Sequence, residues 1–172
     1  MNKPLIFVEN LSVEYITDTS PVKAVLDVTF EIFHGEIFGL VGESGSGKST
    51  VVQAMMRILP PPAYISGGKV FINNEDIMEA SKSDIIGFRW KKISIVMQSA
   101  LNALNPVLSV REQIHDVLDT HKGLNGKEAD DRAKELLSLV DINYDRLESY
   151  PHQLSGGMKQ RIVIAIALAI MP

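Results

Sequence analysis

The sequence predicts an α/β fold in which a buried strand runs through a glycine-rich loop into a helix, and three observations predict it. Ile37-Phe38-Gly39-Leu40-Val41 is a short run with no polar side chain, of the kind covered on both faces of a sheet. Gly42, Gly45 and Gly47 then fall within six residues, a loop signal. Residues 48–59, KSTVVQAMMRIL, are helix-compatible and stop against Pro60-Pro61-Pro62, which cannot continue a helix.

The other elements follow in order. Over residues 4–16 and 25–33 apolar and polar side chains roughly alternate (Phe30 and Ile32 against Thr29 and Glu31), the period-two pattern of half-buried strands, so the amino-terminal part is expected to form antiparallel sheet. His34-Gly35-Glu36 reads as a turn. Gly67-Gly68 opens a strand over 69–73 with a turn at Asn73-Asn74, a short helix is expected over 83–89, and 93–97 is strand-like again. After Gln98 the character becomes helical. Residues 110–121 and 127–140 read as amphipathic helices, the second with Ala129, Ala133, Leu136, Leu137 and Val140 on one stripe and Asn125 as a cap. A last helix is expected over 158–170, capped by Ser155. There is no internal repeat or low-complexity stretch.

Bulk properties narrow the function. At 172 residues the chain suits about one domain, and 45% hydrophobic with 22% charged residues is ordinary for a soluble globular protein. A net charge of −4 argues against a surface built to neutralise nucleic-acid phosphates, so no nucleic-acid partner is expected. With no cysteine, disulfides and thiolate metal sites are excluded within these residues. The amino terminus reaches Glu9 too soon for an apolar signal core, and the longest apolar run, 162–171, is half of the roughly 20 residues a membrane span needs. It reads as a buried helix.

The loop itself carries the chemistry. Gly42-Glu43-Ser44-Gly45-Ser46-Gly47-Lys48-Ser49 fits the pattern glycine, four residues, glycine, lysine, serine or threonine, between an expected strand and an expected helix. A plain strand-to-helix turn is the simpler reading, but the full pattern arises by chance in roughly one chain of this length in a hundred or fewer. Glycines let backbone amides converge on anionic oxygens, and the helix adds the positive end of its dipole. Lys48 is placed for the terminal phosphates, the Ser49 hydroxyl for Mg2+, and Thr50 for the alpha phosphate of a nucleoside triphosphate.

A second constellation decides the class. Leu154-Ser155-Gly156-Gly157-Met158-Lys159-Gln160-Arg161 could be an ordinary capped helix start, but about a hundred residues after the phosphate loop it resembles the signature of ABC ATPases. The resemblance implies a phosphate-loop ATPase core with an amino-terminal β-subdomain and a helical subdomain, binding ATP and Mg2+. It implies that Ser155, Gly156, Gly157 and Gln160 act in trans, on nucleotide held by a second ATPase subunit packed head to tail. Gln98 stands where the family has a glutamine that contacts magnesium and couples to a transmembrane partner, and Tyr15 where an aromatic residue stacks on adenine; a surface polar residue and a core aromatic are the plain alternatives. The stretches MQSALNALNP (97–106) and YPHQLSGGMKQR (150–161) are similar to the subfamily that takes up dipeptides, oligopeptides and sometimes nickel. Permease subunits, indirectly an extracytoplasmic binding protein, and the cytoplasmic face of the cell membrane are implied with it.

The chain departs from the family after residue 172. There the family continues with a strand ending in an aspartate and a glutamate, followed by a dimer-contact loop and a switch histidine. No catalytic residue is therefore expected in this chain, turnover is expected to be slight, and the C-terminal part of the core sheet is expected to be absent. Without it, a sheet edge and an apolar helix face should be exposed. The expected organisation is a single incomplete domain, with a β-subdomain and phosphate-loop core at 1–98, a helical subdomain at 99–157 and the signature helix at 158–172. Two rivals to a peptide-importer ATPase are a nucleotide-binding regulatory module that does not hydrolyse, and an ABC ATPase outside transport. His34, His115, His121 and His152 read as surface or turn residues, Trp90 as a packing anchor, Met55 and Met56 as core filling, and the mixed charges of 127–135 as a solvated helix face.

Overall fold

The protein is described by a computed structural model covering residues 3–98 and 103–172. Backbone contacts divide the chain into two compact units, Met1–Ile85 and Ile86–Pro172.

In the first unit, β1 (Ile6–Tyr15) lies between β2 (Val22–Ile32) and β3 (Ala63–Ile72), antiparallel to both, and the two-residue β4 (Glu75–Asp76) completes the order β2-β1-β3-β4. Val8, Leu11 and Val13 of β1 are all fully buried, although 8 and 11 are out of phase for a plain strand. A shift in register between Val8 and Leu11 resolves this: Asn10 takes a positive φ, its amide donates to Thr29 Oγ1 (2.9 Å), and Leu11 turns into the core. The helix α1 (Lys48–Met55) packs on β1 and β2 through buried Val51, Ala54 and Met55. Met55 and Met56 are core residues, as their apolar, flexible side chains suit.

Four expected elements differ. α1 ends at Met55 rather than at 59, because Arg57 enters the left-handed region (φ 51°), with Arg57 N–H donating to Ala54 O and Ile58 N–H to Gln53 O, both at 2.9 Å. That pair of bonds is a Schellman closure, and it turns the chain before the prolines do. β3 begins at Ala63, six residues before the expected start at 69. Residues 37–41 form no strand, and Ile37 and Val41 are 100% and 93% exposed. An extended segment needs a lateral neighbour to satisfy its amides and carbonyls, and none of the four strands pairs with 37–41. For the same reason 93–97 is reduced to one parallel bridge between Arg89 and Ile93.

The division between the units falls within α2 (Lys82–Phe88). The second unit is helical: α3 (Val110–Lys122), α4 (Gly126–Leu139), two short 3-10 turns at Tyr144–Glu148 and Pro151–Gln153, and α5 (Gly156–Ala167). Ser109 caps α3 in a closed box, accepting from Glu112 N–H (3.2 Å) while the Glu112 carboxylate accepts from Ser109 N–H (2.7 Å). On α4, Ala129, Ala133, Leu136 and Leu137 are buried and Val140 packs against them, the expected stripe. Asn125 stands at the cap position of α4, but its side chain makes no capping bond. Arg111 joins three elements, donating to Asp130 of α4 and reaching Glu148 of the following turn, each at 2.6 Å.

Trp90 packs against this core and stacks on His121, ring centres 5.6 Å apart. His121 and His115 are therefore half-buried, the latter with Nε2 3.1 Å from Asp130 Oδ1, whereas His34 and His152 are exposed. No helix among the described residues is long and apolar enough to cross a membrane.

Candidate nucleotide-binding site

The glycine loop folds by its own hydrogen bonds. Ser46 N–H donates to Glu43 O (3.2 Å), closing a turn through Ser44 and Gly45. Gly45 (φ +81°) and Gly47 (φ +87°) both lie in the left-handed region that glycine enters without steric cost. Gly47 is also a point of close approach, since a Cβ there would stand 2.6 Å from the carbonyl oxygen of Ala24 in β2. The loop is thus seated on the sheet at Ala24. Gly42, Glu43, Ser44, Gly45 and Ser46 are exposed.

Lys48 opens α1 and curls back over the loop, its Nζ donating to the carbonyls of Gly42 (2.8 Å) and Glu43 (2.5 Å) and to Ser46 Oγ (3.2 Å). These partners are dipoles, not carboxylates, so the ammonium charge is not neutralised. The first turn of α1 contains no acidic residue, and no side chain caps it. Its leading amides and the positive end of its dipole therefore face the loop without a built-in anion. Ser49 is exposed and Thr50 half-buried in that turn. The leading amides of α1, one cation and two hydroxyls form a donor set that fits a polyphosphate chain, and the Ser49 hydroxyl suits the magnesium ion that accompanies it.

Tyr15 ends β1, half-buried, and pairs with Val22 of β2 and Ala63 of β3. Val22 is two residues before Ala24, so the tyrosine backbone lies within roughly 7 Å along the strand of the point where the loop touches β2.

The remaining candidates belong to the second unit. Gln98 is exposed and immediately precedes residues 99–102, the part of the 97–106 segment that lies outside the described residues. Ser155 caps α5, its Oγ accepting from Met158 N–H (3.3 Å). Gly156 and Gly157 follow with exposed first-turn amides, and Gln160 is exposed one turn on from Gly156. Buried Leu154 and Pro151 anchor the approach, and the Gln153 side chain accepts from Tyr150 N–H (2.8 Å). Arg161 reaches back to the Asp141 carbonyl (3.2 Å).

A capped helix start with two glycines, in a chain that also carries a lysine-bearing phosphate loop, agrees with what comparison finds: residues 25–172 match the family model described as ABC transporter. The chain belongs to the ABC transporter family. Among its relatives, the dipeptide transport ATP-binding protein DppD of Bacillus subtilis (strain 168) is 43% identical over 96% of this chain and 50% of its own length. The oligopeptide transport ATP-binding protein OppD of the same organism is 39% identical over 98% of this chain and 48% of its own length. The chain thus spans about half the length of these curated relatives. A dimeric, post-hydrolysis structure of the ATP-binding cassette MJ0796 bound to ADP and phosphate superimposes with a TM-score of 0.86 at 30% identity, over 97% of this chain and 70% of that one. The ABC ATPase cassette fold, with its antiparallel β-subdomain and helical part, is therefore the fold of this chain.

Two features of the site lay beyond sequence reasoning. The Ala24 carbonyl seats the loop from 23 residues away in the sequence, and no local signal marks it. Arg57 was absorbed into an expected helix, although it stands at a left-handed position after α1.

Proposed function

We propose that this chain is the ATP-binding part of an ABC importer that couples ATP binding and hydrolysis to peptide uptake. The relatives named above as dipeptide and oligopeptide transport ATP-binding proteins support the substrate class. The observation that carries the reading is Lys48, held over the glycine loop by two carbonyls and a hydroxyl with no carboxylate among them, beside a helix start free of acidic residues. An anionic polyphosphate satisfies both at once.

In this reading Gly42, Glu43, Ser44, Gly45, Ser46 and Gly47 wrap the phosphates, Lys48 bridges the terminal ones, and Thr50 supports the alpha phosphate. Ser49 and Gln98 serve the magnesium ion, and Tyr15 stacks on adenine. The bound magnesium nucleotide supplies the phosphoanhydride bond whose cleavage drives transport. Ser155, Gly156, Gly157 and Gln160 meet the nucleotide of a second ATPase subunit in a head-to-tail dimer. That dimer docks on permease subunits at the cytoplasmic face of the membrane, with an extracytoplasmic binding protein delivering substrate. Because none of residues 1–172 matches the family's aspartate–glutamate pair, the chain alone is expected to hydrolyse ATP slightly or not at all.

Calorimetric titration with magnesium ATP tests the reading. A charge-assisted bond is worth about 1.5–3 kcal/mol, so Lys48→Ala should weaken binding by roughly 10- to 150-fold. Equal affinity in the two proteins, or no heat from the unaltered chain, overturns it. Phosphate release well above background overturns the turnover expectation.

A further inference from the structure

Arg57 lies at the end of α1 opposite the phosphate loop and has a geometry that helix termination alone does not require. It occupies the residue after the C-cap of α1 in the left-handed region (φ 51°), inside the Schellman closure formed by Arg57 N–H to Ala54 O and Ile58 N–H to Gln53 O. Glycine is the residue this position favours, and the closing bonds are made by the backbone whatever the side chain. The arginine side chain therefore has another use. Its Nη1 donates to the carbonyls of Ile77 (2.9 Å) and Ala80 (2.6 Å), 20 and 23 residues further on, in a part-buried setting.

That target is itself fixed. Ile77 is 3% exposed, its N–H donates to Val70 O of β3 (2.9 Å), and Met78 N–H donates to Asp76 Oδ1 (2.9 Å). A chain of contacts thus runs from β3 through the turn at 77–80 and the guanidinium to the last turn of α1. At the other end Gly47 is seated against Ala24 of β2. α1 has only eight residues, roughly 12 Å of helix, so an anchor at one end is felt at the amides of the other.

We infer that Arg57 is a positioning residue for nucleotide binding: by latching the far end of α1 to the 77–80 turn it fixes the direction in which the leading amides, Lys48 and Ser49 meet the phosphates. This rests on the nucleotide reading above and adds a residue that touches no nucleotide. Donors displaced by a fraction of an ångström still bind, but less tightly.

The test separates positioning from stability. Arg57→Gly removes the latch and at the same time relieves the left-handed strain, whereas Arg57→Ala removes the latch and keeps the strain. Both variants and the unaltered chain are titrated with magnesium ATP by calorimetry and unfolded in urea. The expected result is the same loss of affinity, about tenfold, in both variants, although Arg57→Gly is the more stable of the two. Arg57→Lys, which can reach one of the two carbonyls, should recover part of the loss. Unchanged affinity in folded Arg57→Gly overturns the inference while leaving the nucleotide reading intact. So do losses that follow the stability order, with alanine clearly weaker than glycine. No binding by the unaltered chain overturns the nucleotide reading, and this inference with it.

Discussion

Gly45 and Gly47 provide a matched pair for testing the loop. Both are left-handed, at φ +81° and +87°, so an alanine at either carries the same backbone cost, about 1–2 kcal/mol. They differ in surroundings. A Cβ at Gly45 meets nothing within 4 Å, whereas one at Gly47 stands 2.6 Å from the Ala24 oxygen and 3.4 Å from Val25 Cγ2. A real Cβ keeps at least 3.0 Å, so loop or strand must give by about 0.4 Å, and the neighbour is backbone at a register shift of β2, between Lys23 and Val25, which both pair with β1. Forcing a group into such a space costs roughly 1–3 kcal/mol beyond the shared strain. Urea unfolding followed by circular dichroism reads the difference directly. With a slope of about 2 kcal/mol per molar, the Gly47→Ala midpoint should fall below that of Gly45→Ala by roughly 0.5–1.5 M. Equal midpoints would refute the seating of the loop on β2, and with it the account of how the phosphate loop is aimed.

Further outcomes follow from the second unit. Ser155→Ala should cost about 1 kcal/mol through loss of the α5 cap, while Ser155→Asp, an equally good cap, should keep the stability; if Ser155 also meets a phosphate in trans, both variants lose association driven by magnesium ATP in sedimentation runs, and retained association in the aspartate variant refutes that role. Hydrogen bonds from the Ser109 backbone and hydroxyl hold the Glu112 carboxyl below its ordinary 4.5, so its contribution is fully present above that value and is lost as pH falls through the lowered one. Thermal midpoints between about pH 5 and pH 3 should therefore drop more steeply for the unaltered chain than for Glu112→Gln, and parallel slopes would contradict it. Arg111→Met breaks two half-exposed ion pairs and should destabilise the helical unit by about 1–2 kcal/mol, read as faster amide exchange in α4; unchanged exchange would show that Arg111 does not tie α4 to α3.

What was legible in the sequence is what neighbouring residues decide. The Ser155 cap closes within four residues, 155–158, and the α4 stripe repeats within one helix. Each could be read because the partner is a few positions away and its geometry is set by the local backbone. The bulge that turns Leu11 inward was harder, since it depends on Asn10 meeting Thr29 across the ladder. The left-handed turn at Arg57 was missed because an arginine signals helix, and its reason lies at Ile77 and Ala80.

The failure at 37–41 has the same cause in a stronger form. Ile37-Phe38-Gly39-Leu40-Val41 has the composition of a strand covered on both faces, yet a strand exists only through lateral hydrogen bonds, and among the described residues the partners it needs are not supplied. Within the segment Phe38 stacks on Phe30, with ring centres 5.0 Å apart. The glycine loop that follows still keeps its shape, because its closing bonds and its seat on Ala24 do not pass through 37–41. Phosphate-binding geometry and core-sheet geometry are thus separable in this chain. A partner strand that paired with 37–41 would order that segment and bury Ile37 and Val41 without having to rebuild the loop. The loop should therefore bind nucleotide whether or not the segment before it is paired, so that fully exchanging amides at 37–41 together with protected amides at 44–50 in the presence of magnesium ATP are expected from the same sample. Protection appearing only when both segments are ordered would show that the loop depends on the strand after all.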